Sequence, residues 1–237
     1  MFKRLTLAFL MVAAPGVALA AEPGRVAGAW NADQAEKELA LKLGGDTNAG
    51  KRAYEVCSAC HLPSGAGRAD GAYPKLAGQH ATVLIKQIVD IRSGLRDVRG
   101  MHSFISELKD AQDVADVAAY VQSLCIPPGN GRYAGDDAES RIAEGKGLYE
   151  RDCGDCHQAR GEGVGEKFYP ALAGQHYRYL VREMADIRDR YRINSNPDMV
   201  KVIKKYDNQK LASMAAYLAG LPTPGSPCPP VPARAAR

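Results

Sequence analysis

The chain has 237 residues, 24% charged and 46% hydrophobic, with a formal net charge of +4. It has no basic tail and no basic stripe interleaved with aromatics, which excludes the usual nucleic-acid-binding faces. Residues 178–205 are rich in Arg and Lys, but Glu183, Asp186 and Asp189 interleave with them, so the sequence predicts a solvated helix face there rather than a docking patch.

The N-terminus reads as an export signal over residues 1–20. Lys3 and Arg4 form a basic n-region, Leu5 to Leu19 is apolar, and Ala18-Leu19-Ala20 is an A-x-A cleavage site. The apolar run of about 15 residues, broken by Pro15 and Gly16, is short of the ~20 that a membrane span needs. Cleavage after Ala20 removes Lys3 and Arg4, lowering the net charge from +4 to +2. No cysteine lies near the site to carry a lipid, and no later segment is apolar enough to span a bilayer. Residues 21–47 form a leader with the only tryptophan, Trp30, and a short helix expected at 32–43; it is assigned no function.

A helix predicted over Gly50 to Cys60 runs into Cys57-Ser58-Ala59-Cys60-His61, and one over Glu144 to Cys156 runs into Cys153-Gly154-Asp155-Cys156-His157. Two thiols at one end of a helix can add across the vinyl groups of a haem as thioethers, and the adjacent histidine supplies the proximal nitrogen. The spacing reads as c-type haem attachment at both motifs, hence two covalently bound haem c groups, each with iron. Structural zinc fits less well: the two Cys-X-X-Cys pairs lie far beyond zinc-ribbon spacing, and zinc needs no histidine after each second cysteine. A thioredoxin-type pair would sit in a βαβ setting, and none is visible. Bacteria attach haem beyond the inner membrane, so a Gram-negative periplasm is the expected compartment, and it permits disulfides. Cys125 and Cys228 remain; a disulfide between them is the favoured reading, two free thiols the alternative.

The chain is one domain written twice. Tyr73-Pro74-Lys75-Leu76-Ala77-Gly78-Gln79-His80 recurs 96 residues later as Tyr169-Pro170-Ala171-Leu172-Ala173-Gly174-Gln175-His176, Asp90-Ile91-Arg92 recurs as Asp186-Ile187-Arg188, and Ala118-Ala119-Tyr120 recurs at 97 as Ala215-Ala216-Tyr217. That period is domain-sized. The domains are expected at 48–125 and 138–222, joined by a Pro/Gly linker at 126–137 and followed by a Pro/Ala-rich tail at 223–237 without regular structure. Further helices are predicted over Gly78 to Arg92, Gly174 to Arg190, 111–124 with Asp110 as N-cap, and after Asp207. No strong period-2 segment appears, so the class is all-α, each unit wrapped on its own haem.

Each iron needs a partner opposite its histidine. Met101 is the only methionine of the first domain. Of the three in the second, Met184 and Met214 align with Ile88 and Val117 as packing residues, while Met199 aligns with Met101 across a two-residue insertion. Met101 and Met199, in the loop-like stretch before each last helix, are the expected distal ligands. The rival pair is His80 and His176, which read more naturally as surface or capping groups at helix starts; His102 has no histidine counterpart. Pro74 and Pro170 each lie 13 residues after the haem histidine, either as simple turns or as carbonyl acceptors for the histidine N–H.

Tandem Cys-X-X-Cys-His units, each followed by Tyr-Pro-X-Leu-Ala-Gly-Gln, a methionine about 40 residues later and a helix with Ala-Ala-Tyr, resemble the dihaem cytochrome c4 family over roughly residues 46–222. Each unit is similar to a class I cytochrome c domain. The resemblance implies His/Met ligation at both haems, with Pro74 and Pro170 carbonyls receiving the proximal-histidine N–H, and domains packed with their haem edges close. Tyr54 stands three residues before Cys57 whereas Tyr149 stands four before Cys153, so the helix entering the first haem is expected to pack differently. The function expected is one-electron transfer, from a quinol-oxidising complex or a dehydrogenase to an acceptor such as a terminal oxidase. The partners are then redox proteins, membrane-bound respiratory complexes among them. No nucleophile, general-base or separate metal motif suggests an enzyme. The alternatives are a cytochrome subunit of a dehydrogenase or oxidase complex, and a dihaem redox enzyme of the peroxidase or thiosulfate-oxidising type.

Overall fold

A computed structural model describes residues 29–32, 34–98, 100–126, 130–223, 225, 227 and 228. The export signal, both linker prolines (Pro127 and Pro128) and the end of the tail lie outside them. The first unit comprises α1 (Ala35–Lys42), α2 (Thr47–Ala53), α3 (Glu55–His61), α4 (Ala81–Arg92), α5 (Met101–Ile105) and α6 (Ala111–Ser123). The second comprises α7 (Ala138–Asp152), α8 (Gly154–His157), α9 (Tyr177–Arg188), α10 (Pro197–Ile203) and α11 (Asn208–Gly220). Among the described residues no strand forms; there are two isolated bridges, Ile126 with Pro227 and Val164 with Tyr169. No described helix is long and apolar enough to cross a membrane.

Caps set several helix starts. Asp46 accepts from the amides of Asn48 and Ala49, Asp110 from those of Gln112 and Asp113, and Asp207 from that of Lys210, each satisfying first-turn donors that a helix leaves orphaned. The methionine stretches are helical rather than loops: Met101 opens α5, and Met199 lies in α10, which Asn196 caps and Pro197 begins.

Each unit closes by crossing the helix that leads into its Cys-X-X-Cys-His motif over its last helix, α2 on α6 and α7 on α11. A glycine permits each crossing. A Cβ on Gly50 would sit 2.0 Å from the Asp116 carbonyl oxygen, and one on Gly145 would sit 1.9 Å from that of Ser213. The apolar stripe of α6 (Val114, Val117, Ala118, Val121) and that of α11 (Leu211, Met214, Ala215, Leu218) fill the two cores. Met184 and Met214 are buried among them, as packing residues. In the leader, α1 packs on α4 and α6, so this segment belongs to the first unit's core.

The tyrosine spacing has a different outcome from the one expected. Tyr54 and Tyr149 pack alike: each is buried, lies against a tyrosine of the last helix (Tyr120 and Tyr217, ring centroids 5.5 and 5.6 Å), and donates to the carbonyl just past the haem histidine, Leu62 at 3.0 Å and Gln158 at 2.5 Å. The extra residue is absorbed in the helix break, which falls at Tyr54 in the first unit and at Cys153 in the second.

Candidate haem sites and the seam between them

The short helices α3 and α8 carry the two motifs and end at their histidines, because Leu62 and Gln158 turn to positive φ. Gly67 and Gly163, also at positive φ, then fold the chain back and donate to the histidine carbonyls at 3.0 and 2.9 Å. A Cβ on either would meet the carbonyl of the following proline within about 2.6 Å, so glycine is required there. The fold-back delivers each proline carbonyl to its imidazole: His61 Nδ1 donates to Pro74 O at 3.0 Å and His157 Nδ1 to Pro170 O at 3.1 Å.

A carbonyl only accepts, so Nδ1 carries the ring proton and Nε2 keeps its lone pair. Burial pushes both imidazoles below their ordinary pKa, against the raising effect of the proline carbonyl; both therefore stay neutral and able to bind a metal. Tyr73 and Tyr169 flank the two rings at centroid distances of 6.1 Å.

Cys57, Cys60, Cys153 and Cys156 take part in no disulfide, and burial pushes the Cys57 and Cys153 thiols up to about 11. Among the described residues no three His, Cys, Asp or Glu side chains gather into a set that could hold a bare metal ion. Two thiols and one oriented imidazole at a helix end fit a thioether-linked haem instead. Met101 and Met199 are both half-buried, on helices that pack against α4 and α9. In the second unit Asp152, directly before Cys153, accepts from Lys205 Nζ at 2.5 Å and from the Tyr206 hydroxyl. This ties the haem helix to the chain just past α10.

The two units meet through the repeated segment itself, and the bonds are reciprocal. Gln79 clamps Ala171, donating to its carbonyl at 3.0 Å and accepting its amide at 2.9 Å; Gln175 does the same to Lys75 at 2.8 and 2.9 Å. His80 Nε2 donates to Glu162 O at 2.8 Å, and His176 Nε2 to Ala66 O at 2.9 Å. His176 also accepts from the Gly131 amide through Nδ1 at 3.0 Å, so neither ring nitrogen is free for iron. These histidines are joints between the units, not surface groups or caps: neither side chain caps its helix, and His176 is only 2% exposed. His102 is exposed.

The arginine-rich stretch is only partly solvated, contrary to expectation. Glu183 bonds both Arg96 of the first unit (3.0 Å) and Arg192 (2.8 Å), with all three side chains less than a fifth exposed. Asn194 reaches Asp90 at 2.7 Å, and Asp90 pairs with Lys86 at 2.5 Å in full burial. Trp30 lies across this seam, its ring 4.4 Å from Lys86 Nζ and edge-on to Phe168 of the second unit. Sequence reasoning missed these roles of Gln79, Gln175 and Trp30. The repetition of Ala-Gly-Gln-His was the one signal for the first two.

At the far end, Cys125 and Cys228 form a disulfide, and the Cys228 amide donates to Ile126 O at 2.9 Å. The tail is thereby strapped to the end of the first unit.

The cytochrome c family profile matches residues 47–125 and 142–222. Cytochrome c4 of Pseudomonas aeruginosa is 33% identical over 187 residues, covering 75% of this chain and 89% of that protein. A thiosulfate dehydrogenase electron acceptor of Stutzerimonas stutzeri is 31% identical, covering 70% of this chain and 79% of that protein. The crystal structure of reduced cytochrome c4 from Pseudomonas stutzeri superposes with a TM-score of 0.65 at 30% identity, covering 75% of this chain and all of that one. Two tandem matches, two Cys-X-X-Cys-His motifs and this fold carry two covalent haem c groups, and the chain belongs to the dihaem cytochrome c4 family.

Proposed function

We propose that the protein is an exported, periplasmic carrier that passes single electrons from a quinol-oxidising complex or a dehydrogenase to an acceptor such as a terminal oxidase. Cys57 and Cys60 hold one haem and Cys153 and Cys156 the other. His61 with Met101, and His157 with Met199, would hold the two irons. A haem held there supplies reversible one-electron exchange at iron. The protein's residues keep each proximal imidazole in one tautomer and one orientation through Pro74 and Pro170, and fix the two units against each other through Gln79 and Gln175. The observation that carries the reading is the matched pair of histidine-to-proline bonds, 3.0 and 3.1 Å, each leaving Nε2 without a hydrogen-bond partner among the described residues. Residues 1–20 act as the export signal, and 126–137 as the linker between domains at 48–125 and 138–222.

The test is the mature protein, expected to start at Ala21 with two haems by mass, and low-spin in optical and EPR spectra. Met101→Ala and Met199→Ala should each remove one thioether–iron bond, halve the weak red absorption band of methionine-bound ferric haem and lower the potential of the altered haem. Unchanged spectra and potentials in both variants would refute the ligand assignment.

The likeness to a thiosulfate dehydrogenase electron acceptor favours one particular donor, a periplasmic dehydrogenase of that kind. Rapid reduction by such an enzyme, mixed stoichiometrically, would identify it; no reduction would leave the quinol-oxidising complex as donor.

A further inference from the structure

The repeated segments 73–80 and 169–176 clamp one another reciprocally across the seam, and they differ in sequence at one residue. Residues 75 and 171 occupy equivalent places, each directly after the proline that holds a proximal histidine and each clamped at amide and carbonyl by the partner unit's glutamine. One is lysine and the other alanine. Lys75 is buried, 7% exposed, and its ammonium donates to Gly174 O at 2.6 Å and Thr223 Oγ1 at 2.9 Å. Both acceptors are neutral. No carboxylate lies within ion-pair distance among the described residues, unlike the other buried seam lysine, Lys86, which has Asp90. Of three N–H donors, two are used.

A buried cation with no anion is costly, and proteins ordinarily pair it or lose it. Burial alone lowers Lys75 to about 8, which still leaves it charged at neutral pH. Its neighbours at the seam are the segments that hold both proximal histidines. A haem that gives up one electron gains one unit of positive charge, and a fixed cation nearby disfavours that oxidised form. We propose that Lys75 is a positioning residue for electron transfer, a seam cation without a carboxylate partner among the described residues that raises the reduction potentials of both haems. The proposal rests on the two-haem carrier reading. The redox step is one electron added to ferric haem to give ferrous haem, with no proton transferred to or from Lys75.

The experiment uses the full holoprotein, with loading of both haems checked by mass and absorbance. The variants are Lys75→Met, which keeps the apolar stem without the charge, Lys75→Arg, which keeps the charge, and Ala171→Lys, which adds a cation at the equivalent place. Spectroelectrochemical titration at pH 7 should show both potentials lowered in Lys75→Met, near native in Lys75→Arg and raised in Ala171→Lys. Unchanged potentials in Lys75→Met, or an equal fall in Lys75→Met and Lys75→Arg, would overturn the proposal. If Lys75→Met does not fold, unchanged or lowered potentials in loaded Ala171→Lys overturn it on their own. A wild-type protein without two low-spin haems would instead sink the carrier reading, and is seen before any variant is titrated.

Discussion

Replacing both Cys125 and Cys228 by serine removes a cross-link between residues 103 apart. The closed loop holds the whole second unit, from α7 to α11, and leaves the first unit outside. In the chain-entropy account, closing a loop of about 100 residues stabilises by about 4.7 kcal/mol, and measured native disulfides typically give about 2–4 kcal/mol. The native contacts of the strap do not depend on the covalent bond. The Cys228 amide to Ile126 carbonyl bond at 2.9 Å and the Lys75 to Thr223 bond at 2.9 Å are non-covalent contacts expected to survive the replacement. The loss is therefore expected in the unfolded state of the second unit alone, about 3 kcal/mol.

Native-state hydrogen exchange read by mass spectrometry resolves the two units. Peptides from α7, α9 and α11 that exchange through unfolding of the second unit should do so roughly 100-fold faster, since about 1.4 kcal/mol corresponds to a factor of ten. Peptides from α4 and α6 should change little. Equal acceleration in both units would mean that they unfold as one body. No acceleration in either would mean that the seam, not the cross-link, limits opening of the second unit.

Gly145→Ala should destabilise the second unit by up to about 2 kcal/mol, because overpacking against the Ser213 carbonyl, about 1–3 kcal/mol, outweighs a helix-propensity gain of about 1 kcal/mol. Gly147→Ala, on the same helix with nothing within 4 Å of its Cβ, should instead stabilise by up to about 1 kcal/mol; urea denaturation of the two holoproteins compares them directly. Lys205 and then Tyr206, by hydrogen bonding, hold the Asp152 carboxyl at about 2, below its ordinary 3.8. The unfolded chain thus takes up this proton first, and stability falls as pH drops from about 4 to about 2. Asp152→Asn should flatten that part of the acid-unfolding profile, read by circular dichroism, and an unaltered slope would show that the carboxylate contributes nothing there.

The haem motifs were legible because their chemistry is local: spacing alone sets which helix end presents the thiols. The proline 13 residues on was open between a turn and a carbonyl acceptor, and only the family resemblance pointed to the acceptor that the fold shows. The last helices were legible from their period, and Asp110 and Asp207 from capping chemistry. The short helices at Met101 and Met199 were not, since five and seven residues carry too little periodicity to separate a helix from a loop. Gln79, His80, Gln175 and His176 repeat plainly, but repetition does not say that the two copies face one another. Their partners lie 82 to 110 positions away in the chain, and only tertiary packing reveals that each residue answers its twin. Trp30 was invisible as a seam residue for the same reason: a single aromatic in a leader has no pattern to betray its neighbour.

One segment in each unit does two jobs, and this couples them. Pro74 offers its carbonyl to His61, and the very next amide, that of Lys75, is held by Gln175 of the other unit. Pro170 and Ala171 repeat the arrangement with His157 and Gln79. A single peptide link therefore separates the bond that orients each proximal imidazole from the bond that joins the units. Sliding one unit over the other cannot spare the histidines, because the clamped residue and the orienting carbonyl are covalent neighbours. The arrangement of the two units and the orientation of each motif histidine are thus fixed through the same two peptide links. At Lys75 against Ala171 the side chain and its charge differ while the clamp on the backbone amide and carbonyl is the same on both sides.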